Sequence, residues 1–339
     1  MVATIYEVAK KSGFSIGTVS RVLNGVPLHA ESTCEKVLQV VDELNYQPDA
    51  MAQGLARRKT PAGAANTIGV VAPFCNGNAG WEILRGIQRG LAQHNLDLLL
   101  YAIEDLQKQD TLLQHILQKR RMDGLLWVST KISEELAQAC KRRSLPLVLA
   151  DSYHEQFDTI VVDNQTGATL AIQYLTRIGY RHFALLAGHR ENFSAQLRFQ
   201  DCRRALRKAG IDLSDRMILR DHHDQSGYSA LKNFLEQHAQ NVPLAVLVAD
   251  ETQMLGAMKA IHQAGLHIPD EVALIGFEDN ALAEHAGLMT VRRPLEEIGY
   301  RAAERFVVRL ENPDLLPQRL SLPSELIVRK SWGAKKTKS

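Results

Sequence analysis

The sequence has no run of about 18 consecutive apolar residues, the least that crosses a bilayer as a helix. Its first residues lack the basic, apolar and small-residue order of a secretory leader, so a cytoplasmic location without a membrane partner is expected. Cysteine is scarce: four thiols at 34, 75, 140 and 202 lie scattered, which excludes a disulfide scaffold. With 22 Gly and 11 Pro in 339 residues, collagen-like and low-complexity classes are excluded as well. Charge of one sign is also missing. Against 40 Lys and Arg stand 38 Asp and Glu, a net charge of +2, so any argument for a nucleic-acid partner must come from local motif. No Gly-x-Gly-x-x-Gly follows the first apolar run, and neither a Gly-x-Ser-x-Gly elbow nor a Walker loop occurs. His222, His223 and Asp224 adjoin one another, but adjacent loop residues rarely face one ion and no matching Cys or His cluster stands nearby. No metal and no cofactor is expected.

What is present is a chain that is 45% hydrophobic, long enough for two domains or slightly more at roughly 150 residues each. From Thr4 to Tyr46 three short helical patterns are separated by turns containing Gly and Asn. From Thr67 onward short β-rich runs alternate with helical stretches: TIGVVAP at 67–73, LDLLLYA at 96–102, DGLLWVS at 123–129, LPLVLAD at 145–151, TIVVD at 159–163, HFALLAG at 182–188, LAVLVAD at 244–250 and EVALIGF at 271–277. This alternation predicts βαβ units around parallel sheets, and the nearly continuous apolar character predicts strands covered on both faces. So many strands exceed one compact sheet, which implies two α/β subdomains. The segment from Asp151 to Asp163 sets two strands close together and reads as a crossover between them. A second break follows Met289, where MTVRRP leads into a helix from Leu295 to Leu310 and a final strand near Arg319 to Val328.

The spacing in the first segment has its own logic. Thr4 and Glu7 form a T-x-x-E capping box at a helix start. Ala9, Gly13 and Val19 then fall where a helix-turn-helix needs a small residue, a tight turn and a core apolar residue. Ser15 caps a second helix from Ile16 to Leu23, and Asn24-Gly25 ends it. That helix carries Thr18, Ser20, Arg21 and Asn24 on one side; short hydroxyl and amide groups suit phosphate, and Arg suits the bidentate edge of guanine. The same spacing is also compatible with a small helical packing module.

The stretches ATIYEVAKKSGFSIGTVSRVLNG and EKVLQVVDELNYQPDAMAQGLARRKT resemble the headpiece of the lactose/galactose repressor (LacI/GalR) family, including the TVSRVLN core and the LNYxP hinge. The likeness continues through IGVVAP, MDGLLWV, HFALLAG, FSAQLRF, LVADETQMLGAMKAI, EVALIGFEDN and LIVRKS, and so covers nearly the whole chain. It implies an N-terminal all-α helix-turn-helix headpiece with a hinge helix, joined to an α/β core of two Rossmann-like subdomains of the periplasmic-binding-protein-like type. The corresponding boundaries are a headpiece at 1–47, hinge and linker at 48–66, and a core at 67–330. Within the core an N-lobe takes 67–162 plus 291–320, a C-lobe takes 163–290 plus 321–330, and 331–339 is a tail.

By that resemblance Ile16, Gly17 and Arg21 occupy base-reading positions, while Tyr6, Thr18, Ser20, Asn24, Thr33 and Tyr46 match phosphate-contacting or docking positions. Gly17 has no side chain to read with, which shifts specificity toward Ile16, Arg21 and DNA shape. The third helix departs from the family: His29-Ala30-Glu31-Ser32-Thr33-Cys34 lacks the usual Ser and Arg, and His29 is the substitute contact. Leu55 matches the hinge leucine that wedges into the minor groove, and Arg57, with Arg58 and Lys59, follows toward the flanking phosphates.

Polar residues also recur just after the core strands, where two lobes of this kind face each other and small ligands bind. The resemblance places Phe74, Cys75, Asn76, Trp81, Asp151, Asn192, Ser194, Arg198, His222, Asp250, Glu278 and Leu295 at or near effector-contacting positions. Arg forks and carboxylates bind hydroxyls in pairs, which suits a sugar, a sugar derivative, a nucleoside or a purine. Phe74 stands where an acidic residue is common, Glu278 where Asp is usual, and His222 where an aromatic ring often stacks. The expectation is a cytoplasmic, nucleoid-associated repressor in a bacterium, with no enzymatic activity, binding pseudo-palindromic double-stranded operator DNA as a homodimer and controlled by a small effector. The family's tetramers use an extra C-terminal helix, and here the chain ends soon after Trp332. The alternative is a cytoplasmic sugar-binding protein or an α/β enzyme on the same core.

Overall fold

The structure, a computed structural model, describes residues 3–23, 30–46, 67–73, 78–94, 96–103, 109–119, 122–188, 193–214, 217–220, 227–238, 242–249 and 252–329. The chain divides into two units, Met1–Ala65 and Asn66–Ser339.

The first unit contains α1 (Ile5–Ser12), α2 (Ile16–Leu23) and α3 (Glu31–Glu43). At the start of α1 the Thr4 N–H donates to Glu7 Oε2 at 2.7 Å, as the T-x-x-E spacing predicts. Gly13 closes this helix in the left-handed region at φ 77°, a conformation glycine adopts without a Cβ clash. Ser15 Oγ accepts from the Thr18 N–H at 3.1 Å and fixes the start of α2. Val8, Ala9, Val19, Val37 and Val40 form the core, with Phe14, Val22, Leu44 and Tyr46 packed around it.

The second unit contains two six-stranded sheets. Lobe 1 is built from β1 (Thr67–Pro73), α4 (Ala79–Leu91), β2 (Asp97–Ile103), α5 (Gln109–Lys119), β3 (Gly124–Val128), α6 (Glu134–Arg142), β4 (Leu147–Ala150) and β5 (Asp158–Asp163), completed by α12 (Leu295–Glu311) and β11 (Arg319–Pro323). Its strand order is β11-β5-β4-β3-β1-β2, all parallel. Lobe 2 contains α7 (Asn164–Arg177), β6 (His182–Leu186), α8 (Phe193–Lys208), β7 (Ile218–Leu219), α9 (Tyr228–His238), β8 (Leu244–Val248), α10 (Thr252–Gln263), β9 (Val272–Phe277), α11 (Ala281–His285), β10 (Met289–Arg292) and β12 (Glu325–Ile327). Here the order is β12-β10-β9-β8-β6-β7, with β12 antiparallel. Each sheet has a buried apolar cluster on both faces, the reason these strands read as unbroken apolar runs.

Three sequence expectations are corrected. Asp151–Asp163 is no crossover, because Val148 pairs with Asp158 and β4 and β5 are neighbours in one sheet. At roughly 3.3 Å per residue, 151–157 is long enough to run back along the short strand β4 without a helix. The chain leaves lobe 1 at Asp163–Asn164 instead. Secondly, Val291 and Arg292 belong to lobe 2, since β10 pairs with β9. Thirdly, 319–328 is two strands rather than one: β11 pairs with β5 of lobe 1 and β12 with β10 of lobe 2, so 321–323 belong to lobe 1. Between them Ser324 is buried, donates to the Asp163 carbonyl at 2.6 Å and accepts from the Gly167 N–H at 3.1 Å, tying two crossings together.

Helix α12 holds lobe 1 together at two levels. It lies so close to α4 that a Cβ on Gly86 would stand 1.9 Å from the Glu296 carbonyl and one on Gly299 would stand 1.9 Å from that of Ile83. At its other end Arg305 Nε and Arg309 Nε donate to the two oxygens of Asp158 at 2.8 and 2.7 Å, and the Gln318 N–H adds a bond of 2.9 Å. Asp158 lies at the amino end of β5, where α12, β5 and the approach to β11 meet.

Candidate functional site

The outward side of α2 combines a half-exposed Ile16, an exposed Gly17, a half-buried Ser20 and an exposed Arg21, while Val19 faces the core. The Arg21 guanidinium lies over Gly17, within 3.8 Å of where a Cβ would stand. That is ordinary van der Waals distance, so a Cβ at Gly17 would fit beside the guanidinium. Thr18 Oγ1 lies 3.0 Å from Ser15 Oγ. Tyr6 is exposed on α1 and Thr33 half-buried on α3, whereas Tyr46 packs against the headpiece core. Asn24, His29, Leu55 and Arg57 lie outside the described residues.

In the second unit the site follows from strand order. Both sheets reverse order beside their first strand, between β1 and β3 in lobe 1 and between β6 and β8 in lobe 2, and carboxyl ends at such points are where ligands bind in open α/β sheets. Among the described residues Ser129, Asp151, Ala249 and Glu278 follow the carboxyl ends of β3, β4, β8 and β9, and Ser194 stands in the first turn of α8, after β6. Among the described residues the structure joins them into one buried polar network. Asp151 Oδ2 accepts from Ser129 Oγ at 3.1 Å and from Ser194 Oγ at 2.8 Å. Ser194 Oγ in turn accepts from Arg198 Nη1 at 2.8 Å, and Arg198 Nε donates to the Ala249 carbonyl at 2.5 Å. Arg293 completes it, with Nη2 2.6 Å from Asp151 Oδ1 and Nη1 3.1 Å from Glu278 Oε1. Ser129, Asp151 and Glu278 are non-glycine residues at φ 55°, 52° and 139°. Such backbone is costly and is kept where a site demands it.

Burial alone would raise the Asp151 carboxyl. The Arg293 charge and its hydrogen bond, then Arg198 and the Ser194 hydroxyl, outweigh that and hold it below the usual carboxylate range. Arg293, whose charge burial disfavours, is held charged by Asp151 and Glu278. A depressed carboxyl contributes stability that is complete above the unfolded value of about 3.9 and is lost as pH falls through the folded one. Asp151→Asn should therefore unfold at lower temperature than the parent at pH 7, with the gap narrowing as pH falls below about 4. Melting both proteins across pH 3–7 checks this; a gap independent of pH would assign the loss to packing.

Of the cleft residues expected from sequence, Asp151, Ser194, Arg198 and Glu278 come together. Trp81 is half-exposed in the first turn of α4, and Leu295 lies buried in the lobe 1 core at the start of α12. Phe74, Cys75, Asn76, Asn192, His222 and Asp250 lie outside the described residues. Sequence reasoning missed Arg293. The signal was present, since Arg293 follows β10 as Asp151 follows β4 and Glu278 follows β9, but it was masked by its neighbour Arg292. That neighbour is half-exposed and pairs with Asp279.

A helix-turn-helix unit followed by a two-sheet, periplasmic-binding-protein-like core defines a DNA-binding regulator of transcription that responds to a small ligand. Residues 4–49 match the family described as "Bacterial regulatory proteins, lacI family", and residues 172–332 match the "Periplasmic binding protein-like domain". The chain belongs to the lacI family of bacterial regulatory proteins. It is 30% identical over 332 residues to the "HTH-type transcriptional repressor PurR" of Vibrio vulnificus, covering 96% of this chain and 98% of that protein. It is also 30% identical over 336 residues to the "Ribose operon repressor" of Escherichia coli K12, covering 97% and 99%. The solved Lac repressor dimer bound to operator and the anti-inducer ONPF superposes with a TM-score of 0.82 at 26% identity, over 98% and 99% of the two chains. The complex of the transcriptional regulator CelR with cellobiose gives 0.70 at 26% identity, over 97% and 99%. These relatives are transcriptional regulators rather than enzymes. No helix among the described residues is long and apolar enough to cross a membrane.

Proposed function

We propose that this protein is a homodimeric repressor that reads a pseudo-palindromic operator through α2 and releases or tightens its hold when a small polyhydroxylated effector enters the cleft between the lobes. The observation that carries this reading is the pairing of an exposed Ile16, Gly17, Arg21 face with a buried Asp151, Ser194, Arg198 cluster at the strand ends. One recognition helix reads too few bases for useful specificity, so two copies are required. Exposed Leu100 on the edge strand β2 and Leu255 on α10 are apolar surface that a second copy would cover. A sugar or sugar derivative fits the alternation of carboxylate, hydroxyl and guanidinium, each able to bind vicinal hydroxyls. CelR, with its bound cellobiose, supports that ligand class. Cytoplasmic action on the nucleoid follows from the same reading.

In this assignment Arg21 reads a base edge, while Tyr6, Thr18, Ser20 and Thr33 hold phosphates. Arg21→Ala should cost about 1–3 kcal/mol on the selected operator and relax preference at one position of each half-site. Binding-site selection from a random duplex pool, with parent and variant side by side, tests it. Uniform weakening on every sequence would reduce Arg21 to an electrostatic contact.

A further inference from the structure

The Arg293 guanidinium occupies an unusual place. Its backbone lies just past β10, where the chain passes from lobe 2 back to α12 of lobe 1. Its side chain is fully buried and pairs with one carboxylate from each lobe, Asp151 at 2.6 Å and Glu278 at 3.1 Å, with Ser194 Oγ at 3.2 Å. We propose that Arg293 is a resident bridge between the lobes, doing before any effector arrives what a ligand bound across the cleft would do, so that the effector-free chain rests in the bridged arrangement. The inference deepens the reading of the cleft as the effector site and takes its consequence for regulation from that reading.

Burying a guanidinium is costly unless good geometry and hydrogen bonds offset it. Here the offset exists only while the two lobes stand together, because Asp151 and Glu278 belong to different sheets. The attraction is therefore present in one arrangement and absent in the other, which is the condition for biasing an equilibrium between them. A planar fork serves two carboxylates at once, whereas the point charge of lysine does not. Without Arg293, two buried carboxylates would face a common space with Arg198, which donates to Ser194, as the remaining described cation of the network. The bridge also sets a condition on the effector. Asp151 already accepts from Ser129, Ser194 and Arg293, leaving about one of its four lone-pair sites for an incoming hydroxyl. A ligand that takes more than that one site on Asp151 must displace the guanidinium or a hydroxyl of the network.

The test needs no effector. Spin labels carried on noncanonical residues in place of Glu135 on α6 and His262 on α10, both exposed, report the distance between the lobes by pulsed electron resonance on the full chain. The parent should give one narrow distribution. Arg293→Gln should give a longer and broader one, and Arg293→Lys should broaden it as well. If Arg293→Gln keeps the parent's distance while melting as a folded protein, the bridge is refuted. Should that variant not fold, Asp151→Asn keeps the shape and removes the carboxylate that lobe 1 contributes to the bridge, and an unchanged distribution there refutes it equally. Failure here leaves the effector reading untouched. That reading is sunk separately if no sugar, sugar phosphate, nucleoside or purine raises the melting temperature of the parent.

Discussion

Asp158→Ala should lower the stability of the two-lobed unit by about 3–5 kcal/mol, the usual loss when one partner of a buried ion pair is removed. The carboxylate is fully buried and takes Arg305, Arg309 and the Gln318 N–H, so truncation leaves two largely buried guanidinium groups without their counter-charge. It also releases the joint where α12 meets β5 and the approach to β11, and among the described residues β11 has no other strand neighbour in its sheet. Denaturant unfolding of the core measures the loss. The companion Asp158→Asn keeps shape and removes charge, and it should recover only part of the difference. A loss below about 1 kcal/mol in Asp158→Ala would show that water replaces the carboxylate and that the joint is held by packing. Asp158 stands at the amino end of its strand, away from the carboxyl ends that carry the cleft network, so effector affinity should change little.

Arg198→Ala should act on the other end of the same lobes. Its guanidinium donates to Ser194 and to the Ala249 carbonyl while itself buried, and hydrogen bonds from a charged group contribute about 1.5–3 kcal/mol each. Effector affinity should fall by roughly 100-fold or more. The change of operator affinity on adding effector should vanish, while the effector-free protein remains folded and binds operator. The measurement is operator affinity with and without the sugar that most raises the parent's melting temperature. By linkage, operator must alter effector affinity in the parent by the factor by which effector alters operator affinity. If the variant still responds as the parent does, Arg198 is no ligand anchor and the cleft assignment fails with it.

Much of this was legible in the residues. Helix α2 spans Ile16–Leu23 as its cap and turn residues indicated, and β1 spans Thr67–Pro73 as its apolar run indicated. Both are local consequences of period and capping chemistry. Asp151, Ser194, Arg198 and Glu278 were singled out by one rule, as polar residues that come after core strands, and the structure brings them into one network. The same rule passed over Arg293, because two consecutive arginines carry identical sequence signals while one is half-exposed beside Asp279 and the other fully buried.

The sequence by itself therefore determined most of the elements in their order, the existence of two α/β lobes and the family, since each depends on spacing within a dozen residues or on ordered motifs. Tertiary structure alone decided which strand joined which lobe. Arg319–Pro323 and Glu325–Ile327 are adjacent in the chain and part company only because their backbone donors and acceptors find partners in different sheets. It also decided the bridge. Asp151 lies 142 residues from Arg293 in sequence, and Glu278 lies 15. Their meeting required both lobes to fold and pack, because a buried charge is tolerable only where opposite charges are brought to it, and nothing in a residue's own neighbourhood states what the far side of a cleft will bring.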